Sequence, residues 1–291
     1  MDAPLSLRNA WNFADRAYLV YFAVISGLIL VRWRHVPGIG TLLLVNAVCI
    51  AIICALVHLA PRSPNWAFLH DWYPVAMPIV TFEQVSRLSL TLRSGWQDHY
   101  ILNLESHLFP IPPTVWLGQH ATGWTTELVE IGYFSYFVLL MIVAGTLYAR
   151  ADRRPFRQTM DASVLSYLLC YVVFILFPTE GPAHTLAANY KLALPGGGPF
   201  HWVVLLIQKH AGVHGNAFPS AHVAGGIVAV IAAWRFAPKL GVALTPLMIL
   251  LCVGAVYDRY HYACDVVAGL VFGAVPAWIM LRRRFTPAGA P

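Results

Sequence analysis

Seven stretches of this chain, residues 17–31, 41–59, 131–148, 164–177, 223–236, 242–256 and 266–281, are apolar almost without interruption. A helix needs roughly 20 such residues to cross the hydrocarbon layer of a bilayer. Backbone in hydrocarbon must also bond to itself, which makes the helix the spanning form for runs of this length. Composition agrees: of 291 residues, 58% are hydrophobic and 11% charged. Mean hydropathy is +0.63, outside the range of a soluble domain of this size. The expected fold is therefore all-α, a polytopic membrane helix bundle of about seven spans. The first run follows Arg8, Asp15 and Arg16 and lacks a small-residue cleavage site behind it, so it is expected to stay as a span.

Basic residues fix an expected orientation. Arg32 and Arg34 follow the first run, Arg150, Arg153, Arg154 and Arg157 the third, Arg235 and Lys239 the fifth, and Arg282, Arg283 and Arg284 the seventh. In a seven-span serpentine these are alternate loops, and short loops rich in Lys and Arg stay in the cytoplasm. They hold more than half of the 19 basic residues, while Arg8 and Arg16 run against the pattern. Topology thus accounts for most of the net charge of +6, and no nucleic-acid partner is expected. The five cysteines form no CxxC pair and read as small core residues.

The segment 61–126 carries Trp66, Trp72, Tyr73, Trp96, Tyr100, Trp116 and Trp124, rings that favour the headgroup layer, and is broken by prolines. Its apolar part, 75–92, has Glu83, Gln84 and Arg87 in the middle, which predicts an interfacial or re-entrant helix rather than a span. A second outer segment, 178–218, contains Gly196-Gly197-Gly198-Pro199 and the short apolar piece 202–207, candidates for a lid or mouth.

Two histidine motifs stand at the entrances to the fifth and seventh runs, both on the expected non-cytoplasmic side. They are Phe218-Pro219-Ser220-Ala221-His222 and His261-Tyr262-Ala263-Cys264-Asp265. Ionisable groups at such places are costly and mark function by default. His261 and Asp265 are four apart, so on a helix they share a face and the carboxylate can accept the Nδ1 proton, freeing Nε2 as a nucleophile or base. Pro219 predicts a helix start, with Ser220 as cap and His222 in the first turn. Helix starts of this kind bind phosphate.

Pro219-Ser220-Ala221-His222, followed some forty residues later by His261-x-x-x-Asp265 and Val266-Val267-Ala268-Gly269, resembles the type 2 phosphatidic acid phosphatase superfamily, which includes the vanadium haloperoxidases. The resemblance covers roughly 127–281. It implies a six-helix phosphatase-like core in which His261 attacks phosphorus, Asp265 orients it, His222 protonates the leaving oxygen and Ser220 holds the phosphoryl group. The expected divisions are a two-span extension (1–60), an outer interfacial segment (61–126), the catalytic core (127–284) and a cytoplasmic tail (285–291). Phe177-Pro178-Thr179-Glu180-Gly181-Pro182-Ala183-His184 looks like the Gly-Pro-Arg region of the inositol phosphorylceramide synthase branch, with Ala183 where arginine is usual. Two other family cations are also missing. Ala255 stands where an arginine is usual, six residues before His261, and Lys191 is followed at the family spacing by Gly198-Pro199. Phosphoryl transfer needs cationic donors, and the candidates are Arg259, Lys191 and His184. Arg259 could instead be an interfacial anchor paired with Asp258, and Glu127 and Glu130 are expected to complement the dipole of their own helix.

The leading expectation is a metal-independent membrane lipid phosphate phosphatase of a bacterial inner membrane, without cofactors, acting through a phosphohistidine at the non-cytoplasmic face. A phosphotransferase passing the group to an alcohol is the first alternative. A metal-binding membrane protein or transporter is the second, though two histidines and one aspartate would need a further ligand.

Overall fold

A computed structural model describes residues 11–190, 193–196, 198–211 and 215–282. These contain twelve α-helices and no strand. Six helices are long and apolar enough to cross a membrane: α1 (Phe13–Val31), α2 (Ile39–Leu59, extended to Arg62 by a 3-10 turn), α6 (Gly123–Tyr148), α7 (Arg154–Leu176), α11 (Pro238–Tyr257) and α12 (Ala263–Leu281). The protein is a multi-pass membrane protein. The fifth apolar run becomes α10 (Ala221–Phe236), whose 16 residues make a helix about 24 Å long. It is the central helix, walled by α6, α7, α11 and α12. Its buried residues are mostly Ala, Gly and Val, which lets backbones approach closely. A Cβ on Gly269 of α12 would lie 2.5 Å from the Ser220 carbonyl oxygen, and one on Gly273 would lie 2.3 Å from that of Ala224. Glycine at both positions therefore sets the contact between the two helices that begin at the histidine motifs.

The main departure from expectation is α3 (Pro64–Leu88). It does not lie across the bundle as an interfacial helix but runs parallel to α1 and α7 for their whole length. At its start, His70 and Tyr73 bond the Asp15 carboxylate of α1, and Asp71 faces Arg157 of α7 at 3.8 Å. Further along, Tyr21 of α1 donates to the Thr81 carbonyl, and Phe82 packs on Phe174 near the end of α7. Beyond its end, Arg32 donates to the Thr91 carbonyl at 2.7 Å. The polar residues that argued against a span are satisfied. Gln84 is buried and donates to Asn46 of α2, while Glu83 and Arg87 pair with each other at 2.9 Å on the outer face. The prolines are accommodated too. Pro78 has no N–H for the Pro74 carbonyl, which instead accepts the Tyr18 hydroxyl.

With α3 running end to end, the loops sort differently. Arg32 and Arg34 lie at the same end as both histidine motifs, contrary to the expected serpentine. Arg16, formerly the exception, joins Arg62, Arg150, Arg153, Arg154, Arg157, Arg235, Lys239 and Arg282 at the other end. Arg8, Arg283 and Arg284 lie outside the described residues. Buried side chains form one core among α1, α2, α3, α7 and the start of α10 and a second among α6, α7, α10, α11 and α12, with α7 and α10 common to both.

Candidate active site

Both histidine motifs are helix starts, and the backbone joins them directly. Ser220 caps α10, its Oγ accepting the Val223 N–H at 3.3 Å, while its own N–H donates to the Asp265 carbonyl at 3.0 Å. In the second motif the chain leaves α11 at Tyr257 and reverses at Arg259, whose φ of 64° is left-handed. It re-enters helix at Ala263, with Tyr262 as cap. Asp265 completes this cap, Oδ2 accepting the Tyr262 N–H at 2.8 Å.

His261 therefore sits just ahead of the helix rather than on its face, which changes the expected orienting bond. Its Nδ1 lies 2.8 Å from the Ala217 carbonyl oxygen and 3.5 Å from Asp265 Oδ2. A backbone carbonyl only accepts, so Nδ1 carries the proton and Nε2 presents a lone pair. The Ala217 carbonyl is the nearer orienting group. Asp265 shapes the turn from behind the ring, and its Oδ1 is buried without a hydrogen-bond partner among the described residues. Nε2 faces His222 Nδ1 at 3.5 Å, and His222 Nε2 lies 3.4 Å from the Tyr133 hydroxyl. Rings of Tyr133 and Tyr136 pack on His222, and Tyr260 packs on Tyr133. Burial pulls the His261 pKa down to about 4, against the opposing pull of the Ala217 bond, so the imidazole is neutral at ordinary pH.

The remaining expected residues are less tightly gathered. The Arg259 guanidinium stacks on Tyr190 at 3.9 Å and passes beside Gly118. It does not pair with Asp258, whose buried oxygens have no hydrogen-bond partner among the described residues. Burial, reinforced by Glu130, pushes the Asp258 carboxyl well above the usual range despite Arg259. His184 is exposed in the short helix α8 (Pro182–Thr185) at the same end, and Lys191 lies outside the described residues. Glu127 and Glu130 serve a helix other than their own. Glu127 accepts the N–H groups of Phe200 and His201 at the start of α9 (Pro199–Ala211), and Glu130 bonds His201 Nδ1 at 2.8 Å.

Two carboxylates singled out by no motif hold the site together. Asp98, which begins α4 (Asp98–Leu108), accepts the N–H groups of Glu180 and Gly181 at 2.7 and 2.8 Å and the Tyr262 hydroxyl at 2.9 Å. The hydroxyl of Thr179 accepts the Phe218 N–H at 2.8 Å. The stretch 177–184 is thus tied to both motifs. Glu105, also on α4, accepts the Cys264 N–H at 3.2 Å and caps α12 from outside. Loss of a cap costs about 1 kcal/mol, so Glu105→Ala should unfold at a lower temperature than wild type in detergent, whereas an unshifted thermal transition would deny it this role. Among the described residues, no three His, Cys, Asp or Glu side chains are grouped as metal ligands.

The chain was compared with known proteins. Over 166 residues it is 23% identical to a "PA-phosphatase related-family protein" of Dictyostelium discoideum, a match covering 50% of this chain and 30% of that protein. The chain thus spans about a third of the relative's length. No solved structure matches. The family model described as the PAP2 superfamily matches residues 99–279, a region that runs from α4 through both histidine motifs to α12. By that match over more than half its length, the chain belongs to the PAP2 superfamily.

Proposed function

We propose that this protein is a metal-independent lipid phosphate phosphatase working through a phosphohistidine on His261. The observation that carries the proposal is the pair of imidazoles: the proton of His261 is fixed on Nδ1 by the Ala217 carbonyl, and its bare Nε2 faces His222 at 3.5 Å. Membership of the PAP2 superfamily and the likeness to a phosphatase-related protein support the same class of chemistry.

In the first step Nε2 bonds phosphorus as the phosphorus–oxygen ester bond breaks, and His222 gives its proton to the departing alkoxide. In the second, His222 takes a proton from water, the oxygen bonds phosphorus and the nitrogen–phosphorus bond breaks, releasing phosphate. Ser220 and the start of α10 would hold phosphoryl oxygens. Arg259, Lys191 and His184 are the proposed counter-charges, in place of the family's missing arginines. The basic end of the bundle is the one away from the histidines, so the positive-inside rule favours a site on the non-cytoplasmic face.

Transfer to an alcohol is the second reading, in line with the inositol phosphorylceramide synthase branch. It is favoured by the burial of His261, which is 4% exposed, and by the stretch 177–184 tied down beside it, since excluding water protects a phosphohistidine from hydrolysis. A panel of radiolabelled lipid phosphates assayed in excess chelator tests both. Phosphatidic acid, phosphatidylglycerol phosphate, an isoprenoid pyrophosphate and a sphingolipid-type phosphate are the substrates to include. Free phosphate is the expected product. Label appearing only in a new lipid when an alcohol is supplied would replace hydrolysis with transfer, and activity abolished by chelation would overturn the metal-independent mechanism.

A further inference from the structure

At the end of the bundle away from the histidines, α10 and α12 leave a groove that the reaction does not use. The two helices run parallel. Near their starts Gly269 and Gly273 press α12 against Ser220 and Ala224. Towards their C-termini they are separated by an open groove of about 730 Å³. Ile231, Ala274, Ala277 and Leu281 give it an apolar lining, with the small Ala274 and Ala277 leaving the depression. Its rim is different in character, formed by Trp234 and Arg235 of α10 and Trp278 and Arg282 of α12.

The rim residues are arranged in a way that points to a ligand with a charged head and a hydrocarbon tail. Trp234 is fixed by its indole N–H, which donates to Thr245 Oγ1 at 3.0 Å, and the Arg282 guanidinium lies over the Trp278 ring at 4.7 Å. Both indoles are about half exposed. Tryptophan in a membrane protein favours the headgroup layer, so the rim lies at the depth of lipid phosphates and the lining at the depth of acyl chains. Among the described residues neither Arg235 nor Arg282 forms an ion pair with a carboxylate. Arg150, which donates to the Phe236 carbonyl at 2.8 Å, adds a third positive charge at the end of α10. Guanidinium forks match phosphate oxygens, and basic pockets between membrane helices select anionic headgroups.

We propose that this groove binds one anionic phospholipid of the surrounding leaflet, its phosphate held by Arg235 and Arg282 and one acyl chain lying between α10 and α12. The two arginines also complement the negative ends of the helix dipoles. That role alone needs no apolar groove and gives no preference among lipids, so headgroup selectivity separates the two. The site stands apart from the histidine chemistry and is tested without an activity assay.

The experiment is native mass spectrometry of the purified protein titrated with phosphatidylglycerol or phosphatidylcholine of identical acyl chains. The wild type should bind phosphatidylglycerol more tightly. The Arg235→Gln/Arg282→Gln double variant should lose roughly 30-fold in that affinity, as two interfacial arginines are worth, with little change for phosphatidylcholine. Ala274→Leu, which fills the groove, should weaken both lipids, and Arg154→Gln, at the same end but outside the groove, should weaken neither. Equal affinity of the wild type for the two lipids overturns the proposal without any variant. A double variant that keeps the preference overturns the assignment to these arginines.

Discussion

Replacing His261 with alanine is expected to lower turnover of a lipid phosphate by roughly 10⁴-fold or more, the scale seen when a covalent nucleophile is removed. The expectation rests on the one-sidedness of the ring. Its Nδ1 proton is committed to the Ala217 carbonyl, so only Nε2 can attack, while the neighbouring His222 Nδ1, 3.5 Å away, has the task of delivering a proton rather than a lone pair. The alanine variant also strands the Ala217 carbonyl, a buried acceptor whose loss of partner costs about 1–3 kcal/mol. Its inactivity alone would therefore confound chemistry with stability. His261→Asn separates them, because the asparagine amide can donate to Ala217 while supplying no nucleophile. Both variants should fail to trap acid-labile radioactive phosphate on the protein, and His261→Asn should unfold near the wild-type temperature. Normal turnover, or label still trapped in either variant, would remove His261 from the nucleophile's role.

The sequence made the helices and the two motifs legible because both are local. An apolar run declares a span by its length, and Pro219-Ser220 ahead of Val223 declares a helix start that the structure contains. The path of α3 was not legible, because Glu83, Gln84 and Arg87 lower the hydropathy of a helix whose polar groups find partners far away in the chain. Gln84 meets Asn46, 38 residues off, and only the folded bundle shows that the Glu83–Arg87 pair neutralises itself on the surface. One misread helix then put Arg32 and Arg34 at the wrong end relative to the histidine motifs, since each crossing between two loops decides whether they share a side.

The same limit applies inside the site. The spacing of His261 and Asp265 brought the right residues together, 3.5 Å apart. Yet the shorter bond goes to a main-chain carbonyl, and a carbonyl has no signature in sequence. Asp98 and Glu105 reach the second motif across 164 and 159 residues, and nothing in their neighbours announces it. Tyr133 is similar: an aromatic residue in a long apolar run reads as core, and only its hydroxyl, aimed at His222 Nε2, distinguishes it.

That contact bears on the last expected result, the behaviour of His222→Ala. As the acid, His222 is an imidazolium, its Nε2–H within reach of the Tyr133 hydroxyl at 3.4 Å and its Nδ1–H facing His261 and hence the region where phosphorus must enter. A general acid so placed is worth about 10²–10⁴-fold when the departing group is a poor one. A lipid alkoxide is such a group, so the variant should lose that much activity on a lipid phosphate. An aryl phosphate with an acidic phenol leaves without help, and the first step on that substrate should be nearly unimpaired. The second step still needs a base for water, so phosphohistidine should accumulate: a burst of phenol followed by a slow steady rate. Rapid-mixing measurement of the burst reads this directly. A uniform loss on both substrates with no burst would mean that His222 acts in binding or packing, and the two-histidine mechanism would need a different proton donor.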